Sequence, residues 1–449
     1  MADDIAQDAD LSKDIEAVVN DLEKELNELA NFRDYFFENH PIEQAEDKNS
    51  LVEEKRNVIL EKLEAIDESQ IPASLRAQFL YMKGRCYNIQ QTYNPEAIAY
   101  LSKAVKLNPH IIEAWNELGE CYWKNLNIKD AKSSFEGALK HEKNPISLRC
   151  LSILMRQEVG GSCLQEAAAG IIKSVELAKE AVNLDATDGL SWSVLGNAYL
   201  CQYFMVAQEP AILKSCMTAY RQAYQDLKAR GQPDLYYNRG IALKYEERYA
   251  EAIESFEKAC RLDPPWKPPQ NELKRLLQYL HGVNELIKTK GKIKTKKLTQ
   301  MIQSLDSKML GPYAPGTFHT FGNRRNVTLT LTPLANLKEG VNEGRVVLAK
   351  VLGSIYSDND VPFTFAITDA SLACFSVTVY NWADGRGAII GDSVAIPEPV
   401  VGVHIQEGGE GYAFRSIRVN NPLCQCLNGR RLGCHQFALT KVTSTYELQ

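Results

Sequence analysis

The chain has no long apolar run: none of its 449 residues lies in a stretch near the ~20 apolar residues that a membrane-crossing helix needs. No membrane partner is therefore expected. It also lacks an excess of positive charge, with 51 Lys and Arg against 57 Asp and Glu and a net charge of -6. That balance rules out a global pull toward nucleic acid or anionic lipid, so any polyanion site must be a local cluster. The start, "MADDIAQDAD", has neither the basic nor the apolar part of a secretory leader. The 11 cysteines are odd in number and scattered through helical patterns, which reads as reduced thiols in cytoplasm or nucleus. No glycine-rich loop opens a helix in the manner of a nucleotide site, and "EGGEGY" (407–412) sits in strand context as a hairpin turn. The seven histidines do not cluster. Cys424, Cys426, Cys434 and His435 are near in sequence, but their C-x-C opening matches a zinc knuckle poorly, so thiols without metal are expected. Carboxylates are plentiful, yet none comes with an obvious base or nucleophile. The reading is of a non-enzyme with no cofactor.

What is present is repetition. "EAWNELGECYWKNLNIKDAKSSFEGAL" (113–139) places Trp115, Leu118, Gly119 and Tyr122 on one helical face, then Ala131, Phe135 and Ala138 on the next helix. The same spacing recurs with Gly84, Ala97 and Ala104, with Trp192, Gly196, Tyr199, Tyr220 and Ala223, and with Gly240, Ala252, Phe256 and Ala259. A period of about 34 residues with this pattern resembles the tetratricopeptide repeat. A glycine inside a helix costs ~1 kcal/mol. It is tolerated where two helices cross closely enough that a larger residue would part their backbones. Segment 145–185 lacks the glycine and reads as a degenerate repeat with an extended loop around "EVGGSCLQE", and 1–68 reads as an elongated first repeat. Repeats are expected over 69–265, then a capping helix and basic junction over 266–312, with "DPPWKPPQ" stopping the last repeat helix.

The repeat family implies a concave wall that binds extended peptides. Aligning the repeats on their glycines puts Arg85, Asn116, Glu120, Arg149, Arg156, Asn197, Asp234 and Tyr237 on that wall. Arg149 and Arg156 lie two turns apart and could grip a carboxylate through the guanidinium fork. Glu120 and Asp234 could take a basic group, and the asparagines could bond a peptide backbone. The competing reading is of solvated or mutually paired surface residues.

"IKTKGKIKTKKL" (287–298) carries six lysines and no acid. Lys290, Lys292, Lys294, Lys296 and Lys297 are expected on an extended or partly helical connector and suit a structured polyanion such as ribosomal RNA. After "LGPYAPGTFHTFGNRRN" the composition turns to alternating β-branched runs, and 313–449 reads as a small closed barrel resembling the OB fold. Phe363, Phe365 and Phe375 alternate as core positions. Tyr380 and Trp382, with Arg324, Arg325, Arg386, Arg415 and Arg418, are the candidates for single-strand binding.

An all-α tetratricopeptide solenoid, a "KGKIKTKK" junction and an all-β OB-like barrel holding "VPFTF" and "IGDSVAIPEP" together resemble the tetratricopeptide repeat protein 5 family over essentially the whole chain. The resemblance implies a monomeric adaptor whose groove engages the nascent tubulin amino terminus at the ribosome and triggers tubulin mRNA decay through an mRNA-decay adaptor and deadenylase. Under it, Arg156 takes the acid and Asp234 the base of a Met-Arg-Glu-type start, while Lys294 and Lys296 hold ribosomal RNA. It also implies a nuclear alternative: a stress-responsive scaffold linking a histone acetyltransferase coactivator to an actin-nucleating cofactor, with possible DNA or chromatin contact through the barrel.

Overall fold

A computed structural model describes residues 2–157, 164–314, 318–321, 325–355, 362–383, 385, 387–406 and 411–438. It divides into two compact units. One comprises Met1–Ala242 with Glu254–Gln270, the other Leu243–Ile253 with Asn271–Val442.

The first unit is a stack of helical hairpins. α1 (Ala2–Asp34), the short α2 (Phe36–Asn39) and α3 (Lys48–Glu64) make the elongated opening pair. Four pairs follow: α4 (Ala73–Asn88) with α5 (Pro95–Leu107), α6 (Ile112–Lys124) with α7 (Ile128–His141), α8 (Pro145–Gln157) with α9 (Leu164–Leu184), and α10 (Gly189–Met205) with α11 (Pro210–Ala223). After the single turn α12 (Leu227–Arg230) come α13 (Pro233–Tyr245) and α14 (Tyr249–Leu262). Asn94, Asn127, Asp188 and Asp226 cap their helices with side-chain oxygens, satisfying amides that have no intrahelical partner.

The internal glycines sit where the helices cross. A Cβ on Gly119 would stand 2.7 Å from the Phe135 ring, one on Gly196 2.5 Å from Tyr220, and one on Gly240 2.6 Å from Phe256. All three rings are fully buried. In the degenerate hairpin Ser152 replaces the glycine and meets Ser174, both wholly buried and joined Oγ to Oγ at 2.9 Å. A small polar pair thus stands where other repeats put a glycine under an aromatic ring. The insertion "EVGGSCLQE" largely lies outside the described residues.

In the second unit α15 (Lys267–Lys288) continues from Asn271 onward, followed by α16 (Thr295–Gln303). β1 (Phe318–Phe321) and β2 (Arg325–Thr328) form a separate hairpin, and β3 (Thr330–Leu331) pairs in parallel with β5. The main sheet uses β4 (Gly340–Val341), β5 (Arg345–Ile355), β6 (Phe363–Thr368), β7 (Cys374–Val379), β8 (Ser393–Pro397), β9 (Val400–Gln406) and β10 (Tyr412–Val419). The small strands β11 (Cys426–Leu427) and β12 (Arg430–Arg431) extend it beyond β8. β5 pairs antiparallel with both β6 and β8, β6 with β7, β7 in parallel with β10, and β10 with β9. Only Glu398 and Pro399 separate β8 from β9, and Glu398 turns the corner at φ +43°. One bent segment therefore pairs with β5 on one side and β10 on the other, closing the barrel. Phe365, Ile367, Phe375, Val377 and Val379 fill its interior with Val347, Val351 and Ile417. This is the solenoid-then-barrel architecture read from the sequence.

The outward face of β6 and β7 is covered too. Thr364, Ala366, Ser376 and Thr378 are almost wholly buried. Tyr279 of α15 bonds Thr364 through its hydroxyl at 3.1 Å, Asn284 accepts the Ala413 amide, and Leu286 and Ile287 pack with Leu352, Ala366 and Cys374. From Asn271 onward, the helix expected to cap the repeats thus lays its apolar stripe on the barrel strands. The stripe of an amphipathic helix does not say which surface it will cover.

Candidate functional site

Two regions hold the residues singled out by sequence: the inner side of the hairpin stack, and the basic corner of the second unit.

On the stack, the structure separates the eight wall residues by what they touch. Asn116 donates to Asn144 and accepts from Ser147, tying α6 to the next hairpin. Asn197, 1% exposed, accepts the Tyr220 hydroxyl at 2.8 Å. Tyr237 is buried against Phe256 and Trp266. These three serve packing and are not turned toward a guest: period-3.6 alignment marks a face but not its depth. Arg149 is engaged too, bonding Asp188 at 2.6 Å, where Asp188 is itself the cap of α10. The expected fork of Arg149 with Arg156 does not form, since Arg149 links consecutive hairpins. Arg85 donates to Asn27 of α1 at 2.7 Å.

Arg156 differs. Its guanidinium donates to the Ser152 carbonyl, to Ser152 Oγ at 2.9 Å and to Ser174 Oγ at 2.7 Å. The serine pair of the degenerate repeat is what receives it: an aromatic ring there would take its place. No ion pair forms to Arg156 among the described residues, and burial holds its pKa below the ordinary arginine value. Tyr220 and Cys201 lie within its electrostatic reach, which brings Arg156 and Asn197 to one cluster through Tyr220. Asp234, in the first turn of α13, likewise has no cationic partner among the described residues; burial pushes its pKa up to about 6. The two ions do not pair with each other. Each is a half-buried charge with no counter-ion among the described residues, a condition that favours an external one.

Glu120 shows what kind of space this is. Its side chain keeps 38% exposure to water, yet burial is the largest influence on its carboxyl. Water reaches it inside walls of protein. Lys124, bonded at 2.8 Å, then Arg33, outweigh that burial and leave its pKa low. On the next-but-two position Glu117 goes the other way, raised by burial and by the Glu120 charge. Sequence reasoning missed Glu117, Arg33 and Asp34. The Arg-Asp pair just before "YFF" at the end of α1 was the available signal.

The lysine stretch is ordered. Lys290, Gly291 and Lys292 all take left-handed backbone angles (φ +49°, +64° and +55°), and a Cβ on Gly291 would stand 2.6 Å from the Leu352 carbonyl oxygen. Leu352 is the extra residue where the β5–β6 register shifts between Val351 and Gly353. Of the extended or partly helical connector expected, the partly helical form is present, as a tight corner seated on a β-bulge, because glycine allows the positive φ and the close approach. Lys292, Lys294, Lys296 and Lys297 are exposed and Lys290 is half-buried.

The barrel offers little to a nucleic-acid strand on its β6–β7 face. Tyr380, expected to be exposed, is 2% exposed and donates to Glu247 at 3.1 Å, while Arg418 stacks on it at 3.9 Å. Trp382 packs edge-on against Phe363 at 5.2 Å. Arg415 lies over Phe375 and donates to the Leu337 carbonyl. The side chains of Arg324, Arg325 and Arg386 lie outside the described residues. Cys426 is buried, Cys424 and Cys434 are exposed, and no three metal-ligating side chains converge among the described residues. No helix among the described residues is long and apolar enough to cross a membrane.

Comparison with known proteins agrees with this architecture. Residues 328–441 match the family model for the tetratricopeptide repeat protein 5 OB fold domain, and 77–111 and 233–264 match tetratricopeptide repeat models. Tetratricopeptide repeat protein 5 of Homo sapiens is 41% identical over 97% of this chain and 98% of its own length; that of Mus musculus is 43% identical over 94% and 95%. Among solved structures, YrrB, a TPR protein with an unusual peptide-binding site, is 20% identical, covers 48% of this chain and 96% of its own, and has a TM-score of 0.31. Repeats of this class make the chain a protein-interaction adaptor. By identity across nearly its full length, the chain belongs to the tetratricopeptide repeat protein 5 family.

Proposed function

We propose that the first unit binds a short peptide of mixed charge, with Arg156 taking an acidic side chain and Asp234 a basic one. The observation that carries this reading is the pair of half-buried ions on the stack that find no counter-ion among the described residues. A nascent tubulin start of the Met-Arg-Glu type supplies one charge of each sign within adjacent residues. The exposed lysines of the 290–297 corner suit the RNA surface of a ribosome, which would set the adaptor beside an emerging chain in the cytoplasm. Recruitment of a deadenylase through an mRNA-decay adaptor would then couple recognition to tubulin mRNA decay, with no catalysis by this chain. The nuclear scaffold reading, with its acetyltransferase partner, gains nothing from the covered β6–β7 face.

The test is calorimetric titration of a Met-Arg-Glu peptide into the full chain. Arg156→Ala and Asp234→Asn should each weaken binding at least ~30-fold, the ~2 kcal/mol lost with one partner of a buried charge pair. Undiminished affinity in either variant refutes the assignment. Circular-dichroism melts guard against misfolding.

Asp234 adds a pH signature. Its folded pKa of about 6 exceeds the ordinary 3.8, so the folded state holds the extra proton. Stability from that proton is full at low pH and is lost as pH rises through about 6. At pH 7 Asp234→Asn should therefore stabilise the free protein, by about 1–2 kcal/mol once partial solvent access is discounted from the ~3 kcal/mol that two pH units represent. Peptide affinity should run the opposite way, falling as pH drops below about 6 and the carboxylate is neutralised. A flat affinity profile in the natural chain, or a fall below about pH 6 that persists in Asp234→Asn, is inconsistent with this sign.

A further inference from the structure

In a repeat stack each hairpin ordinarily touches only its neighbours. Here the turn of the first hairpin reaches α12, between the fifth and sixth hairpins, and Asp263 just after α14. Asp34 bonds Lys228 of α12 at 2.7 Å and Arg33 at 2.8 Å. The Asp34 carbonyl and the Phe37 ring come against Gly231, and Lys48 feels the Asp263 carboxylate. From the same corner Arg33 donates to the Ile89 carbonyl after α4 and lies within electrostatic reach of Glu117 and Glu120 on α6. Burial opposes the Asp34 carboxylate, but Arg33 and Lys228 outweigh it and leave its pKa below the ordinary value. The segment 33–48 therefore ties α4 and α6, which carry the wall residues Arg85 and Glu120, to α12 and the Gly231 turn that leads into Asp234.

We propose that this corner is the closing wall of the peptide channel, that Arg33 and Asp34 line the guest, and that the Asp34–Lys228 pair is a latch through which the guest is exchanged. The inference rests on the peptide-channel reading and adds residues and a kinetic control to it. A latch made of one ion pair between half-buried groups opens locally, without unfolding the stack, when residues around Asp34 part from Lys228 and the Gly231 turn. It also reverses an ordinary salt effect. Steering of a charged peptide weakens as salt rises. Loosening of the latch works in the other direction, so association with the intact protein should depend less on salt than association with a latch-broken one.

Two measurements test it. Hydrogen exchange on the free protein should show the amides of 34–48 losing protection at least ~5-fold in Lys228→Ala and Asp34→Asn, with α10 and α11 unchanged. Stopped-flow binding of the Met-Arg-Glu peptide should show both association and dissociation rates rising ~3-fold or more, with affinity shifting less than either rate. Across about 0.05 to 0.5 M salt, association with the variants should fall more steeply than with the natural chain. Lys62→Ala, which removes the exposed pair to Glu25 between α1 and α3, should leave every rate unchanged. Unaltered exchange of 34–48 overturns the latch whether or not the peptide binds. Faster exchange with unaltered peptide rates overturns the gating. Failure of the natural chain to bind the peptide, with 34–48 still released by the variants, faults the peptide assignment instead.

Discussion

Glu247→Ala should destabilise the second unit by about 3–5 kcal/mol, the cost of breaking a buried ion pair from one side. Glu247 sits in the turn between α13 and α14, in a left-handed conformation (φ +61°) and 8% exposed. Its carboxylate accepts from Tyr380 at 3.1 Å, from Arg418 at 3.3 Å and from Ser416 at 3.3 Å. Burial pushes the Glu247 pKa up, and Arg418 with the two hydroxyls only partly pulls it back. His404, 3.8 Å away, adds no charge, because burial takes its pKa to about 4. One carboxylate therefore balances one guanidinium. Removing it leaves Arg418, stacked between Tyr380 and Tyr245, with only the neutral Tyr245 carbonyl and Asn420 amide oxygen as acceptors and no counter-charge among the described residues. Glu247→Gln keeps the shape and some hydrogen bonds and should cost less, about 1–3 kcal/mol. Urea unfolding followed by hydrogen exchange of β7 and β10 amides reads the effect; a loss below ~1 kcal/mol for the alanine variant refutes it.

The second large effect concerns a sign. On helix propensity alone Gly119→Ala should stabilise α6 by ~1 kcal/mol. The structure reverses this. The added methyl would stand 2.7 Å from two atoms of the Phe135 ring, which is fully buried. Overpacking of this kind costs about 1–3 kcal/mol and outweighs the propensity gain. Gly119→Ala and Gly240→Ala should therefore each lower stability by about 1–2 kcal/mol, and Gly119→Val by more than ~3 kcal/mol. Pairing Gly119→Ala with Phe135→Leu should restore part of the loss, since the two sites share one contact. Chemical denaturation measures all four. A stabilising Gly119→Ala would mean that the helices cross more loosely than the ring contact requires.

Much of this was legible in advance. The glycine, alanine and aromatic spacing of a repeat reports a local crossing, and local crossings are set within one hairpin. The alternation of Phe363, Phe365 and Ile367 reports the barrel interior for the same reason: a strand has only two faces. Asp234 and Arg156 were singled out because their helices keep the repeat's register, and both prove half-buried with no ion-pair partner among the described residues. The failures share a cause. Asn197 and Tyr237 lie on the right face but too deep, and Tyr380 lies on an outward face that α15 covers. A pattern along one segment states which residues share a side; it is silent on what another segment lays over that side.

The same distinction separates what the sequence determined alone from what the tertiary structure decided. Crossing glycines, barrel strands and the lysine cluster follow from short-range periodicity and composition, where each residue answers to neighbours within about one hairpin. The serine pair that receives Arg156, the Arg149–Asp188 tie, the Gly291 corner on the β5 bulge and the Asp34–Lys228 latch were decided by groups from distant parts of the chain. Asp34 and Lys228 have no shared period and no shared motif. Only the coiling of the stack sets them 2.7 Å apart, and in a low-dielectric interior that distance determines which charges are satisfied within the fold.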